Sequence, residues 1–178
     1  MKTFILATLA AMACTAAASA ELPVGAQAPI FEAQGALGGK PLTFSLKRSL
    51  KKGPVVLYFF PAAFTPGCTI EAHKFAEATD AFKKLGATVV GITAGNADRV
   101  TEFSAVECRN KFTVAADPGA KIATTYQAKD KPEGTWSNRT SYVIAPDGKI
   151  LLSYSEANPE QHVAKTLAAV QAWRASHS

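Results

Sequence analysis

Between Val55 and Phe60 the chain reads VVLYFF, an unbroken apolar run rich in β-branched and aromatic residues. A strand with one wet face alternates polar and apolar side chains, so a continuous run implies a strand covered on both faces, as in an α/β sheet. Cys68 to Leu85 then carries Ile70, Ala72, Phe75, Ala78, Phe82 and Leu85 at spacings near three and four, the mark of a helix with one buried stripe. Gly86 ends it. Thr88 to Thr93 repeats the buried-strand pattern, and Asn96 is the expected N-cap of a helix carrying Val100, Phe103 and Val106 and reaching Asn110. Lys111 to Ala116 reads as a short strand.

Antiparallel pairs flank this centre. Phe31 to Leu46, centred on Gly38-Gly39, reads as an N-terminal hairpin, and Ser141 to Ala145 and Ile150 to Tyr154 flank the turn Pro146-Asp147-Gly148-Lys149. Asn158-Pro159-Glu160-Gln161 opens a last helix with a cap and then a proline, and Val163, Leu167, Val170 and Trp173 form its expected apolar face. The order is hairpin, βαβα with a short strand, hairpin, helix. That is the thioredoxin-like α/β topology, one central mixed sheet flanked by helices, with an N-terminal hairpin extension. No linker or repeat interrupts it.

The first twenty residues, MKTFILATLAAMACTAAASA, differ from the rest. Lys2, the apolar stretch from Phe4 to Cys14 and then Ala18-Ser19-Ala20 follow the order of a secretory signal peptide, with cleavage expected after Ala20. The stretch is short for a bilayer span, which takes about 20 apolar residues. It also lacks the basic face of an interfacial anchor, and Ala11-Met12-Ala13-Cys14 lacks the leucine that opens a lipoprotein box. The expectation is a periplasmic or secreted protein with a signal peptide over residues 1–20, one domain over 21–178, and no stable membrane association after cleavage.

Composition narrows the function classes. With 48% hydrophobic and 19% charged residues the chain has material for a packed core. Its 19 Lys and Arg against 14 Asp and Glu are spread along the sequence, so no nucleic-acid footprint is expected. The three histidines do not combine with cysteines at zinc spacing, and three cysteines are too few for a disulfide scaffold. Without residues 1–20, only Cys68 and Cys108 remain.

In open α/β sheets, reactive groups gather where strands end and helices begin, and Cys68 occupies that position at the end of Pro61-Ala62-Ala63-Phe64-Thr65-Pro66-Gly67-Cys68. A cysteine is nucleophilic only as thiolate, and the first turn of a helix stabilises that anion through its dipole and free N–H groups. Thr65 can place a hydroxyl beside the sulfur, donating to one atom and accepting from another. Pro61 and Pro66 restrict the loop and shield one side from water. Gly67 allows close backbone approach. Convergence of strand end, hydroxyl and helix start sets Cys68 apart from a cysteine that is simply a small buried hydrophobe.

The pattern Pro61-x-x-x-Thr65-x-x-Cys68 resembles the active-site motif of the peroxiredoxins, and FFPAAFTPGCTIEAHKF as a whole is similar to their bacterioferritin comigratory protein, or Q-type, branch. The resemblance runs from Ala28-Pro29-Ile30-Phe31 through Asp117-Pro118 and Asn138 to Ile144 and on to the final helix. It implies a thiol peroxidase with no metal, haem or flavin cofactor, acting on hydrogen peroxide and organic hydroperoxides. In that chemistry the thiolate attacks the terminal peroxide oxygen and becomes sulfenic acid while water or an alcohol leaves.

Carried over by position, Cys68 matches the peroxidatic cysteine, Thr65 the hydroxyl that orients the peroxide, and Pro61 the shielding proline. Arg139 matches the arginine beside the thiolate, whose permanent charge favours the anion and stabilises the leaving oxygen. Without the motif, Arg139 reads as a solvated cation opening a strand. Glu71, three residues after Cys68 on one helical face, resembles the glutamate that holds such arginines. A first-turn carboxylate meeting the helix dipole is the alternative.

Many Q-type members carry a resolving cysteine where this chain has His73. Five residues advance a helix by about 140°, so His73 faces away from Cys68 and reads as solvated or packed. The resemblance to members with a resolving cysteine on the following helix implies that Cys108 forms an intramolecular disulfide with Cys68. A bridge needs Cα atoms within about 7 Å, so local unfolding belongs to that cycle; otherwise Cys108 is inert core and an external thiol resolves Cys68. The implied electron donor is an exported thioredoxin-like protein, and the expected state is a monomer or weak dimer.

Two other classes compete. A thiol-disulfide oxidoreductase acting on protein disulfides uses the same fold, but Cys68-Thr69-Ile70-Glu71 lacks the second thiol of Cys-x-x-Cys. The other is a noncatalytic exported binding protein with a structural disulfide. Asn138-Arg139-Thr140 also fits a glycosylation acceptor, but a glycan there would obstruct the proposed site.

Overall fold

In chain order, the elements are β1 (Glu32–Leu37), β2 (Lys40–Ser45), α1 (Leu46–Leu50), β3 (Val55–Ala62), α2 (Pro66–Lys84), β4 (Thr88–Gly95), α3 (Val100–Val106), β5 (Thr113–Ala116), α4 (Lys121–Thr125), β6 (Thr140–Ile144), β7 (Ile150–Ser155) and α5 (His162–Ala175). They come from a computed structural model that describes residues 21–177. The expected signal segment, with Cys14, lies outside the described residues.

The strands form one sheet in the order β2-β1-β5-β4-β3-β6-β7. The β3–β4 and β4–β5 pairs are parallel, and both hairpins and the β3–β6 pair are antiparallel. This is the expected mixed sheet of the thioredoxin-like fold. VVLYFF lies within β3, two strands from one edge, and its alternate residues enter two cores. Val55, Leu57 and Phe59 pack with Leu46, Leu50 and Tyr126, while Val56, Tyr58 and Phe60 pack under α2 and α3 with Phe75 and Phe103. Each fully buried side chain of this size contributes about 1.5–3 kcal/mol. At Gly91 of β4 a Cβ would stand 2.8 Å from the Tyr58 ring, so only glycine lets Tyr58 lie across that strand.

Several expectations are corrected in detail. Helix α2 starts at Pro66, placing Cys68 third in its first turn with Thr65 as N-cap. Asn96 stands at the N-cap position of a 3-10 turn (Ala97–Arg99) that leads into α3, but it is left-handed at φ 51° and its side chain caps nothing: Nδ2 donates instead to the Ala63 carbonyl at 2.8 Å, tying β4 to the loop before α2. Helix α3 ends at Val106, short of Asn110, because the backbone turns left-handed at Arg109 (φ 49°) and Asn110 (φ 59°). Strand β5 begins at Thr113 rather than Lys111. In α5 the fully buried line is His162, Thr166 and Val170, while Val163, Leu167 and Trp173 are half-buried. Helices α1 and α4 were not expected from periodicity.

Candidate active site

The sheet register builds the site. Phe59 of β3 faces Thr140 of β6, so Arg139, the next residue outward, lies beside the connection that carries β3 into α2. Pro61 lies beyond this last β3–β6 pair, where its missing N–H breaks no ladder between the two strands. Its carbonyl accepts the Thr93 hydroxyl at 3.2 Å. Phe64 turns the chain into α2 with a left-handed φ of 63°, a strained geometry for a bulky residue. Its ring is clamped between Phe103, edge-on at 5.1 Å, and the Arg99 guanidinium, 3.9 Å above it.

Cys68 is 1% exposed. Arg139 Nη2 lies 3.6 Å from its sulfur, within hydrogen-bonding distance for that atom. The same guanidinium donates through Nη1 to Glu71 Oε2 and through Nε to the Ala157 carbonyl at 2.9 Å. Two fixed contacts therefore aim its third nitrogen, Nη2, at Cys68. Gly67 leaves room here, since a Cβ at that position would lie 3.1 Å from Arg139 Nη2 and crowd the guanidinium. Thr65 donates its hydroxyl to the Ala62 carbonyl at 3.1 Å rather than to the sulfur, leaving its lone pairs as acceptors at the pocket.

Electrostatics set the charge states. Burial pushes Glu71 up to about 8, against the opposing pull of the Arg139 charge and hydrogen bond. Burial also works against the Arg139 charge, but Glu71 and then Cys68 outweigh it and hold the guanidinium charged. Glu71 thus meets the arginine, as the resemblance implied. A sulfur beside a permanent cation in the first turn of a helix, almost sealed from water, is arranged for a nucleophile attacking a small oxidant.

His162 was not among the expected site residues. It is wholly buried, with Nδ1 2.8 Å from Ser141 Oγ and 3.7 Å from Glu71 Oε1, and Nε2 2.9 Å from the Glu156 carbonyl. Its sequence signal was faint: the i, i+4, i+8 line through Thr166 and Val170 marks the buried face of α5.

Residues 24–153 match the AhpC/TSA family pattern. The chain belongs to the AhpC/TSA family. It is 36% identical over 134 residues to the chloroplastic peroxiredoxin Q of Sedum lineare, spanning 75% of this chain and 70% of that protein. To the chloroplastic peroxiredoxin Q of Populus jackii it is 38% identical over 134 residues, spanning 75% of this chain and 61% of the relative. In three dimensions it is similar to the peroxidoxin BcpB of Mycobacterium tuberculosis, with a TM-score of 0.75 and 31% identity over 84% of this chain and 96% of that one. The chain is a Q-type peroxiredoxin, a thiol-dependent peroxidase by class.

For this peroxiredoxin the second thiol is as informative as the first. Cys108 is free, wholly buried, and placed in the turn after α3, in the same apolar cluster as Cys68. Burial, followed by the Glu107 charge, pushes its thiol well above the ordinary value. Around it, His73, Glu77 and Asp80 of α2 pair with Glu107 at 2.7 Å, Arg109 at 3.1 Å and Lys111 at 3.4 Å. His73 is therefore a tether to the Cys108 turn, facing away from Cys68 as the helical angle required.

Proposed function

We propose that this peroxiredoxin is an exported peroxide reductase in which Cys68 is the peroxidatic residue. The observation that carries the reading is the Arg139 Nη2 to Cys68 Sγ contact at 3.6 Å. The thiolate lone pair attacks the terminal peroxide oxygen, the O–O bond breaks, and the departing oxygen takes a proton to leave as water or an alcohol. Arg139 stabilises the charge developing on that oxygen, and Thr65 orients the peroxide. Pro61 shields the sulfur, and Glu71 steadies the arginine. Because Cys68 is 1% exposed, hydrogen peroxide and slim organic hydroperoxides fit better than a protein disulfide.

The sulfenic acid then condenses with the Cys108 thiol, forming a disulfide and releasing water. A thioredoxin-like dithiol protein restores both thiols and is itself oxidised to a disulfide. The buried, protonated state of Cys108 supports a step in which its turn opens first. The pattern of residues 1–20 supports export, and the N-terminus of the mature protein recovered from a periplasmic fraction tests it. The main test is reductant-coupled peroxide turnover. Cys68→Ser reduces it to background, because a serine hydroxyl is not ionised at neutral pH; retained turnover removes Cys68 from the role.

A further inference from the structure

We propose that His162 is a positioning residue for peroxide reduction, acting through Glu71 to keep Arg139 committed to Cys68. The proposal rests on the reading of Cys68 as the attacking thiolate. Glu71 gives Oε2 to Arg139, while Oε1 is buried with no hydrogen-bond partner and lies 3.7 Å from His162 Nδ1. The imidazole cannot turn away. A carbonyl only accepts, so Nε2, 2.9 Å from the Glu156 carbonyl, carries a hydrogen, and Ser141 Oγ holds Nδ1 at 2.8 Å. The Tyr154 ring packs against the imidazole at 4.8 Å, and Lys165 Nζ lies 5.0 Å from the centre of the same tyrosine ring.

Charge counting gives the reason for this placement. One guanidinium serves two anions, the Cys68 thiolate and the Glu71 carboxylate, in a site that excludes water. Thiolate and guanidinium cancel, so the cluster is neutral only when Glu71 and His162 together hold one proton, on Oε1 or on Nδ1. Without that proton a net negative charge is buried, which is costly, and ionised Glu71 competes with the sulfur for Arg139. Burial favours the neutral form of both groups, holding Glu71 up and, with Arg139, His162 down, while the Glu156 carbonyl and charge oppose the shift of His162. The groups facing His162 are thus Glu71 from α2, Arg139 before β6, Tyr154 on β7 and Glu156 after it, while Lys165 on its own helix lies over the Tyr154 ring.

The test uses His162→Asn, which keeps a polar partner for Ser141 but cannot hold the proton, and His162→Gln should the first misfold. The midpoint of the Cys68 alkylation rate against pH moves up by about one unit, a tenfold loss of thiolate below it. Sulfenic acid formation at neutral pH slows to match. In a Glu71→Gln background, which removes the competing charge, the same substitution has no further effect. A folded His162 variant with an unchanged midpoint overturns the proposal, as does an effect that persists undiminished in the Glu71→Gln background. In the unaltered protein, His162 ring nitrogen resonances that do not respond to alkylation of Cys68 overturn it as well. Failure of the underlying reading looks different: Cys68→Ser would retain peroxide turnover.

Discussion

Arg139 reaches Cys68 across 71 positions of sequence, with Nη2 3.6 Å from Sγ, and the rest of its guanidinium is already spent on Glu71 and the Ala157 carbonyl. A cation held this way has little freedom to leave, so its electrostatic effect is present before peroxide arrives and costs no rearrangement during reaction.

Arg139→Met removes that charge while keeping the packing of the stem. Peroxide attack on Cys68 slows by about 10²–10³-fold, the cost of losing one preorganised donor to a developing oxyanion. Stopped-flow oxidation and alkylation rate against pH measure the two consequences separately. Unchanged values in both place Arg139 outside the chemistry.

Cys108→Ser separates the two half-reactions. The first oxidation of Cys68 keeps its rate, but sulfenic acid accumulates, overoxidises to sulfinic acid, and turnover with a dithiol protein falls. In the native chain, stoichiometric peroxide yields a Cys68–Cys108 peptide on mass mapping. Because the exposed pairs Glu77–Arg109 and Asp80–Lys111 help His73–Glu107 hold the Cys108 turn to α2, and screening weakens exposed pairs, higher ionic strength speeds disulfide formation. Full turnover of Cys108→Ser with no linked peptide means that an external thiol resolves Cys68.

Stability carries a pH signature at Glu71. Its folded value is raised from 4.5 to about 8, chiefly by burial. A raised value means that the folded state holds the proton more tightly; that contribution is complete below about pH 4.5 and is lost as pH rises through about 8. Glu71→Gln lacks this loss, so its melting temperature rises relative to the native chain between pH 5 and 8. A difference that stays constant over that range shows Glu71 ionised throughout.

The parts of this protein set by neighbours in sequence were legible from sequence. The run VVLYFF, the stripe through Phe75 and Phe82, and the Pro-Asp-Gly turn each express a periodicity or backbone preference confined to a few residues. Pro61, Thr65 and Cys68 share one loop and one helix start, so their order carried the active-site motif. The short helices α1 and α4 escaped because five residues hold little more than one turn.

Sequence alone determined that a cysteine would sit at a strand end in the first turn of a helix, because strand, loop and helix follow one another along the chain. Tertiary structure decided what surrounds that sulfur. The Phe59 to Thr140 register delivers Arg139, the N-terminus of α5 brings His162 to Glu71, and the same packing buries all three away from water. Those partners are 68 and 91 positions apart from Glu71 (139 − 71 and 162 − 71). No local periodicity links residues so distant; the free energy of burying charge is what makes their meeting obligatory once the sheet has formed.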